Sequence, residues 1–225
     1  MTDTITIPVL PESEWLAKPD HRETPTMRSP TAVRRGCKAL EMVAYHEAGH
    51  AVISWRNHIR FKRITIVPDP GKSLGHVENC KCPKWFRPDI ELSDRIRMRA
   101  ERDILTYLAG EIAQARFLRK RPRWGHGASS DNDTAVDMAF HLFESKETIE
   151  AYLKYCCQRA KDLVDCSWSE IERLAQALVE KRTLDYEEAL EVIAPGSKTL
   201  REAFAPAGRM PSAYHPCAGT HITPA

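Results

Sequence analysis

The stretch Tyr45-His46-Glu47-Ala48-Gly49-His50 constrains this chain more than any other, because it sets two imidazoles and a carboxylate inside an apolar helical repeat. Leu40, Val43, Ala44, Ala48, Ala51, Val52 and Trp55 recur at three- and four-residue spacing, which predicts a helix from Ala39 to about His58 with one buried stripe. Four residues advance a helix by about 400°, so His46 and His50 lie one turn apart on the same side. Two imidazole nitrogens placed that way reach a single zinc ion at about 2.0–2.1 Å each. Glu47 projects about 100° away, where it takes a proton from a metal-bound water without ligating the metal. The competing reading puts all three on the exposed side of the helix. Against it, polar groups on an apolar helix are costly to bury without a partner.

A catalytic zinc needs a third protein ligand and an open position. No histidine occurs from Ala51 to Asn57 to extend the motif. Two carboxylates remain: Glu111, on a later helix, and Asp131, in Gly127-Ala-Ser-Ser-Asp131 at the start of another. An aspartate at a helix start also serves as plain N-terminal stabilisation. Spacing alone supports both readings of Asp131 equally.

Around the motif the pattern predicts a mainly α domain with a small β-sheet. Arg63-Ile-Thr-Ile-Val67, stopped by Pro68-Asp-Pro-Gly71, reads as a strand, and Leu74 to Glu78 as a second. A long amphipathic helix is expected from about Asp89 to Arg119, and another from about Asp131 to Glu144. Two or three more are expected from Glu147 to about Ile193, broken near Trp168 and Thr183. Residues 1–36 and 195–225 are rich in proline and poor in apolar clusters, so both read as disordered tails around a folded unit at 37–194.

Composition excludes several classes. The net charge of +2 points to no particular partner. No apolar run approaches the roughly 20 residues that span a bilayer, and the N-terminus has no signal-peptide pattern. Seven cysteines without repeated spacing read as reduced thiols, which gives an expectation of a cytoplasmic protein. Cys80-Lys-Cys82 is one residue short of the usual zinc-binding spacing, and Cys156, Cys157 and Cys166 read as helix packing residues. The arginine runs at 95–102 and 116–123 read as solvated faces, so neither nucleic acid nor membrane is expected as a partner.

Beyond the motif, Tyr45-His-Glu-Ala-Gly-His-Ala51 resembles the proteolytic domain of FtsH-type AAA proteases, and more of the chain agrees. Arg63-Ile-Thr-Ile-Val-Pro68 and Ser73-Leu-Gly75 resemble the family's strand and its small-Leu-Gly segment. Leu108-Ala-Gly-Glu-Ile-Ala113 resembles its Leu-Gly-Gly-x-Ala-Ala helix, Gly127-Ala-Ser-Ser-Asp131 its Gly-Ala-Ser-Asn-Asp, and Leu174 to Leu178 with Thr183-Leu184 its closing helices. The resemblance runs from about 39 to 193. It implies a zincin-like metallopeptidase fold, one catalytic zinc ion held by His46, His50 and Asp131, and Glu47 as the catalytic base.

The departures are equally specific. Family members carry a transmembrane segment and an ATP-driven unfoldase ahead of this domain, and neither is read here. Gly71-Lys-Ser73 ends like a P-loop, but the pattern requires glycine where Ile66 stands. The expectation is thus a stand-alone peptidase of unfolded or flexible proteins. A separate ATPase or adaptor and a homo-oligomer are its candidate partners, and a non-catalytic zinc-binding module is the rival. Leu74, Gly75, His76 and Val77 are candidates for an edge strand that pairs with an extended substrate. His76 and His126 are candidates for stabilising the reaction's oxyanion.

Overall fold

The computed structural model describes residues 31–69, 74–123, 127 and 129–195, with side chains from Lys38 onward. Most of 1–36 and 195–225 lies outside these residues; Thr31 to Gly36 form the first turns of α1. The first helix, α1 (Thr31–Arg56), begins eight residues before the predicted Ala39, because its opening turns carry no apolar stripe to announce them. Its core face is built of small residues, with Ala44, Ala48, Ala51 and Val52 fully buried. The helix ends in a left-handed cap. His58 takes φ 58°, and Ile59 N–H reaches back to the Ser54 carbonyl at 2.8 Å.

That cap turns the chain into a three-stranded antiparallel sheet of order β2-β1-β3. Strand β1 (Phe61–Thr65) pairs with β2 (His76–Asn79) in the register Ile64 opposite Val77, with a bulge between Phe61 and Arg63. Its other edge pairs with β3 (Thr183–Asp185), Ile64 opposite Leu184. Strand β1 starts two residues earlier than Arg63, and Val67, expected within it, is half exposed beside Pro68. The third strand was not expected. It is three residues long and joins the sheet only because β1 lies alongside it.

Four helices follow β2, then one after β3. The central one, α2 (Asp94–Leu118), buries Ile96, Ile104, Leu105, Leu108 and Ile112 and runs against α1. It starts five residues after Asp89, since Pro83 and Pro88 hold the preceding segment in turns. Next come α3 (Ser130–Leu142), α4 (Lys146–Cys166) and α5 (Trp168–Lys181). The last helix, α6 (Tyr186–Ile193), opens on a capping box made by Asp185 and Glu188. The breaks near Trp168 and Thr183 fall where the sequence pattern puts them. Cys156 and Cys157 are buried in the core, whereas Cys166 is exposed. The mainly α fold with a small sheet is as expected. Among the described residues no helix is long and apolar enough to cross a membrane.

Two glycines set how closely α1 and α2 approach. A Cβ on Gly49 would stand 2.7 Å from the Ala113 Cβ and 2.8 Å from the Ala109 carbonyl oxygen. A Cβ on Gly110 would collide with the His50 imidazole. This close contact brings the histidine-bearing face of α1 against the backbone of α2.

Candidate metal centre

His46 and His50 lie one turn apart on α1, their rings nearly perpendicular, at 80°, with centroids 4.7 Å apart. Their Nε2 atoms are separated by 3.1 Å. Asp131, in the first turn of α3, brings Oδ2 to 3.1 Å from His46 Nε2 and 3.2 Å from His50 Nε2. The three atoms form a nearly equilateral triangle. Tetrahedral zinc with bonds of about 2.0–2.1 Å has ligand–ligand edges of roughly 3.3 Å, so the observed triangle is of the right size. Among the described residues this is the group of three or more candidate ligands that could hold a metal, and it includes neither Cys80 nor Cys82.

The three groups also perturb one another's titration. Burial alone would depress the pKa of His50, but the hydrogen bond and negative charge of Asp131 outweigh it and push it up to about 9. Asp131 in turn is pulled far below the usual carboxylate range; burial works against this, and the two histidines overcome it. Three donor atoms packed this closely call for positive charge between them, which imidazole protons or a cation supplies. A divalent cation meets that requirement with all three at once.

The elements orient these candidate ligands. His50 Nδ1–H donates to the backbone carbonyl of Thr106 on α2 at 2.8 Å, which fixes the ring's orientation and points Nε2 toward Asp131. Gly110, one turn further along α2, leaves the space that the imidazole occupies. His46 Nδ1 is buried and has no partner among the described residues. At the start of α3, the Ser129 hydroxyl accepts the Asn132 N–H at 3.2 Å, a helix N-cap that holds Asp131 in the first turn.

Glu47 is 6% exposed. Burial pushes its carboxyl pKa up, and the charges of His50 and His46 pull it partly back. Its side chain packs against the chain entering β2: a Cβ on Gly75 would lie 3.0 Å from Glu47 Cγ. The base candidate and the edge strand are thus neighbours. Of the residues expected along that strand, Leu74 is exposed, Gly75 is buried, and His76 is near enough for its charge to act on Glu47. Val77 packs on the core. His126 lies outside the described residues.

Glu111, the alternative third ligand, serves elsewhere: its Oε1 accepts the Arg123 N–H at 3.1 Å. Sequence reasoning missed Thr106, Gly110 and Asn132. Only Gly110 carried a signal, since a glycine inside a helix costs about 1 kcal/mol relative to alanine and usually has a packing reason.

A site of two helical histidines and a distant aspartate is what one would seek in a metallopeptidase, and residues 36–145 match Peptidase family M41. Together with the relatives below, this match marks the segment as an FtsH-type peptidase domain. The chain is 30% identical over 199 residues to the ATP-dependent zinc metalloprotease FtsH 1 of Symbiobacterium thermophilum, a match covering 75% of this chain and 32% of the relative. It is 27% identical to the ATP-dependent zinc metalloprotease YME1L1 of Rattus norvegicus, covering 72% of this chain and 25% of the relative. FtsH of Helicobacter pylori is 30% identical over 145 residues, covering 58% of this chain and 21% of the relative. The chain therefore spans about a third or less of the length of these relatives.

Proposed function

We propose that this domain is a zinc-dependent endopeptidase, with His46, His50 and Asp131 as metal ligands and Glu47 as general base. The observation that carries the reading is the triangle of His46 Nε2, His50 Nε2 and Asp131 Oδ2 with sides of 3.1–3.2 Å. When bound, zinc supplies a Lewis acid that acidifies water and polarises a carbonyl. The chain's own residues do the rest. Glu47, held beside the ligands by burial and by Gly75, accepts the proton of the attacking water on a carboxylate oxygen and returns it to the leaving amine nitrogen. Its raised pKa brings it closer to the range in which one group both takes and gives a proton. No covalent enzyme intermediate is needed.

Strand β2 has one edge paired with β1 and lies at the sheet's margin. An extended substrate adds to the other edge through backbone hydrogen bonds, which makes sequence preference loose and favours unfolded or flexible chains. That the relatives are ATP-dependent zinc metalloproteases favours a second reading, in which an ATPase supplied by a partner delivers the substrate.

Zinc stoichiometry of wild type and Asp131→Ala, paired with casein cleavage, tests the proposal. One zinc per wild-type chain, much less in the variant, and chelator-sensitive cleavage are expected. Zinc with cleavage only on adding an ATPase partner supports the second reading. A wild-type chain that binds no zinc refutes both.

A further inference from the structure

Two buried polar side chains near the metal centre have no role in the hydrolysis. Glu111, on α2, is 6% exposed, and Asn132, on α3, is 1% exposed. They converge on one residue of the loop between their helices. Arg123 N–H donates to Glu111 Oε1 at 3.1 Å, and Asn132 Nδ2 donates to the Arg123 carbonyl at 3.1 Å. Asn132 Nδ2 also donates to Ser129 Oγ at 3.0 Å, the same oxygen that caps α3. The Arg123 side chain, itself largely exposed, adds a looser approach of its Nε to Glu111 Oε1 at 3.8 Å.

The arrangement bears on the metal through connectivity. His46 and His50 share one rigid helix, so their mutual geometry is set by α1. Asp131 comes from a separate helix, 81 residues beyond His50, and reaches the pair at the end of a loop. Its position depends on what ties the start of α3 to α2, and α2 is the helix whose Thr106 carbonyl orients His50. Both ends of that tie pass through the backbone of Arg123. Glu111 grips it from α2, and Asn132, the residue after Asp131, grips it from α3.

We infer that Glu111 and Asn132 are positioning residues that clamp the Arg123 backbone and so hold Asp131 in register with the two histidines, setting the affinity of the site for its metal. The inference rests on the reading of His46, His50 and Asp131 as ligands. It differs from a purely structural role in one respect: the clamp controls ligand geometry in the folded protein, whereas a merely structural pair controls how much protein is folded. Groups that orient ligands typically change metal affinity 10–100-fold when removed.

The experiment uses the full chain. Zinc affinity is measured by chelator competition, and the geometry of the site by the visible absorption of bound Co²⁺. Wild type, Asp131→Ala, Glu111→Ala, Glu111→Gln and Asn132→Ala are compared, with circular dichroism reporting the folded fraction. Glu111→Ala should bind zinc about 10–100-fold more weakly, with an altered cobalt spectrum and a native dichroism spectrum. Glu111→Gln, which keeps an oxygen to accept the Arg123 N–H, should return to near wild type. Asn132→Ala should match Glu111→Ala and carries the test if that variant does not fold. Wild-type affinity and spectrum in a folded alanine variant, or a glutamine variant as weak as the alanine one, overturns the clamp. Failure of wild type itself to bind zinc overturns the ligand reading instead.

Discussion

Replacing Gly110 with alanine sets helix stability against the metal centre. In the interior of a helix, Gly→Ala stabilises by about 0.5–1 kcal/mol. At this position the new methyl would lie 2.6 Å from His50 Cε1 and 2.7 Å from Cδ2, with Nε2 nearer still. Something must move, and the helix backbones are already in close contact at Gly49. The imidazole is the part free to swing. If it swings, the 2.8 Å bond from Nδ1–H to the Thr106 carbonyl breaks and Nε2 leaves the triangle with Asp131 and His46. Crowding of this kind costs about 1–3 kcal/mol, which the helical gain partly offsets, so metal-free stability should fall by no more than about 2.5 kcal/mol. Zinc affinity should fall at least 10–100-fold, or about 1.4–2.7 kcal/mol, because a ligand and its orienting bond are displaced together. Thermal melts without metal measure the first quantity and chelator competition the second. A variant that binds zinc within threefold of wild type would refute the placement of His50.

Two further outcomes are expected. Glu47→Gln should bind zinc like wild type but cleave casein about 10²–10⁴-fold more slowly, since only the proton acceptor is lost; wild-type turnover would remove Glu47 from the mechanism. In native protein at neutral pH, a maleimide should label the exposed Cys80, Cys82 and Cys166 but not Cys156 or Cys157. Burial pushes the Cys156 thiol up to about 12 and raises Cys157 as well. Peptide mapping before and after denaturation distinguishes the two sets, and equal labelling rates would contradict the packing of α4.

What was legible in the sequence follows from where the information sits. His46, Glu47 and His50 lie in one periodic helix, so their relative directions follow from helix geometry without reference to the rest of the fold. Asp131 depends on a tertiary contact, and its spacing alone supported a capping role as well as a ligand; resemblance to a known pattern made the difference. Strand β3 escaped notice because Thr183-Leu184-Asp185 is too short for alternation to show and is held by its pairing with β1. Thr106 contributes a backbone carbonyl, which any residue at that position would supply, so no side chain could have marked it. Glu111 was visible as a carboxylate on a later helix and was weighed against Asp131 as a third ligand, but its actual partner, the Arg123 N–H, is a backbone group that no residue pattern marks. Thr106 and Gly110 are four residues apart and share the face of α2 that meets His50. Glu111, one residue on, is turned about 100° from that face and toward the loop. The two histidines can be read from the helix that bears them, whereas Thr106 and Gly110, which fix the place of His50, lie on the helix opposite and become recognisable only once the two are packed.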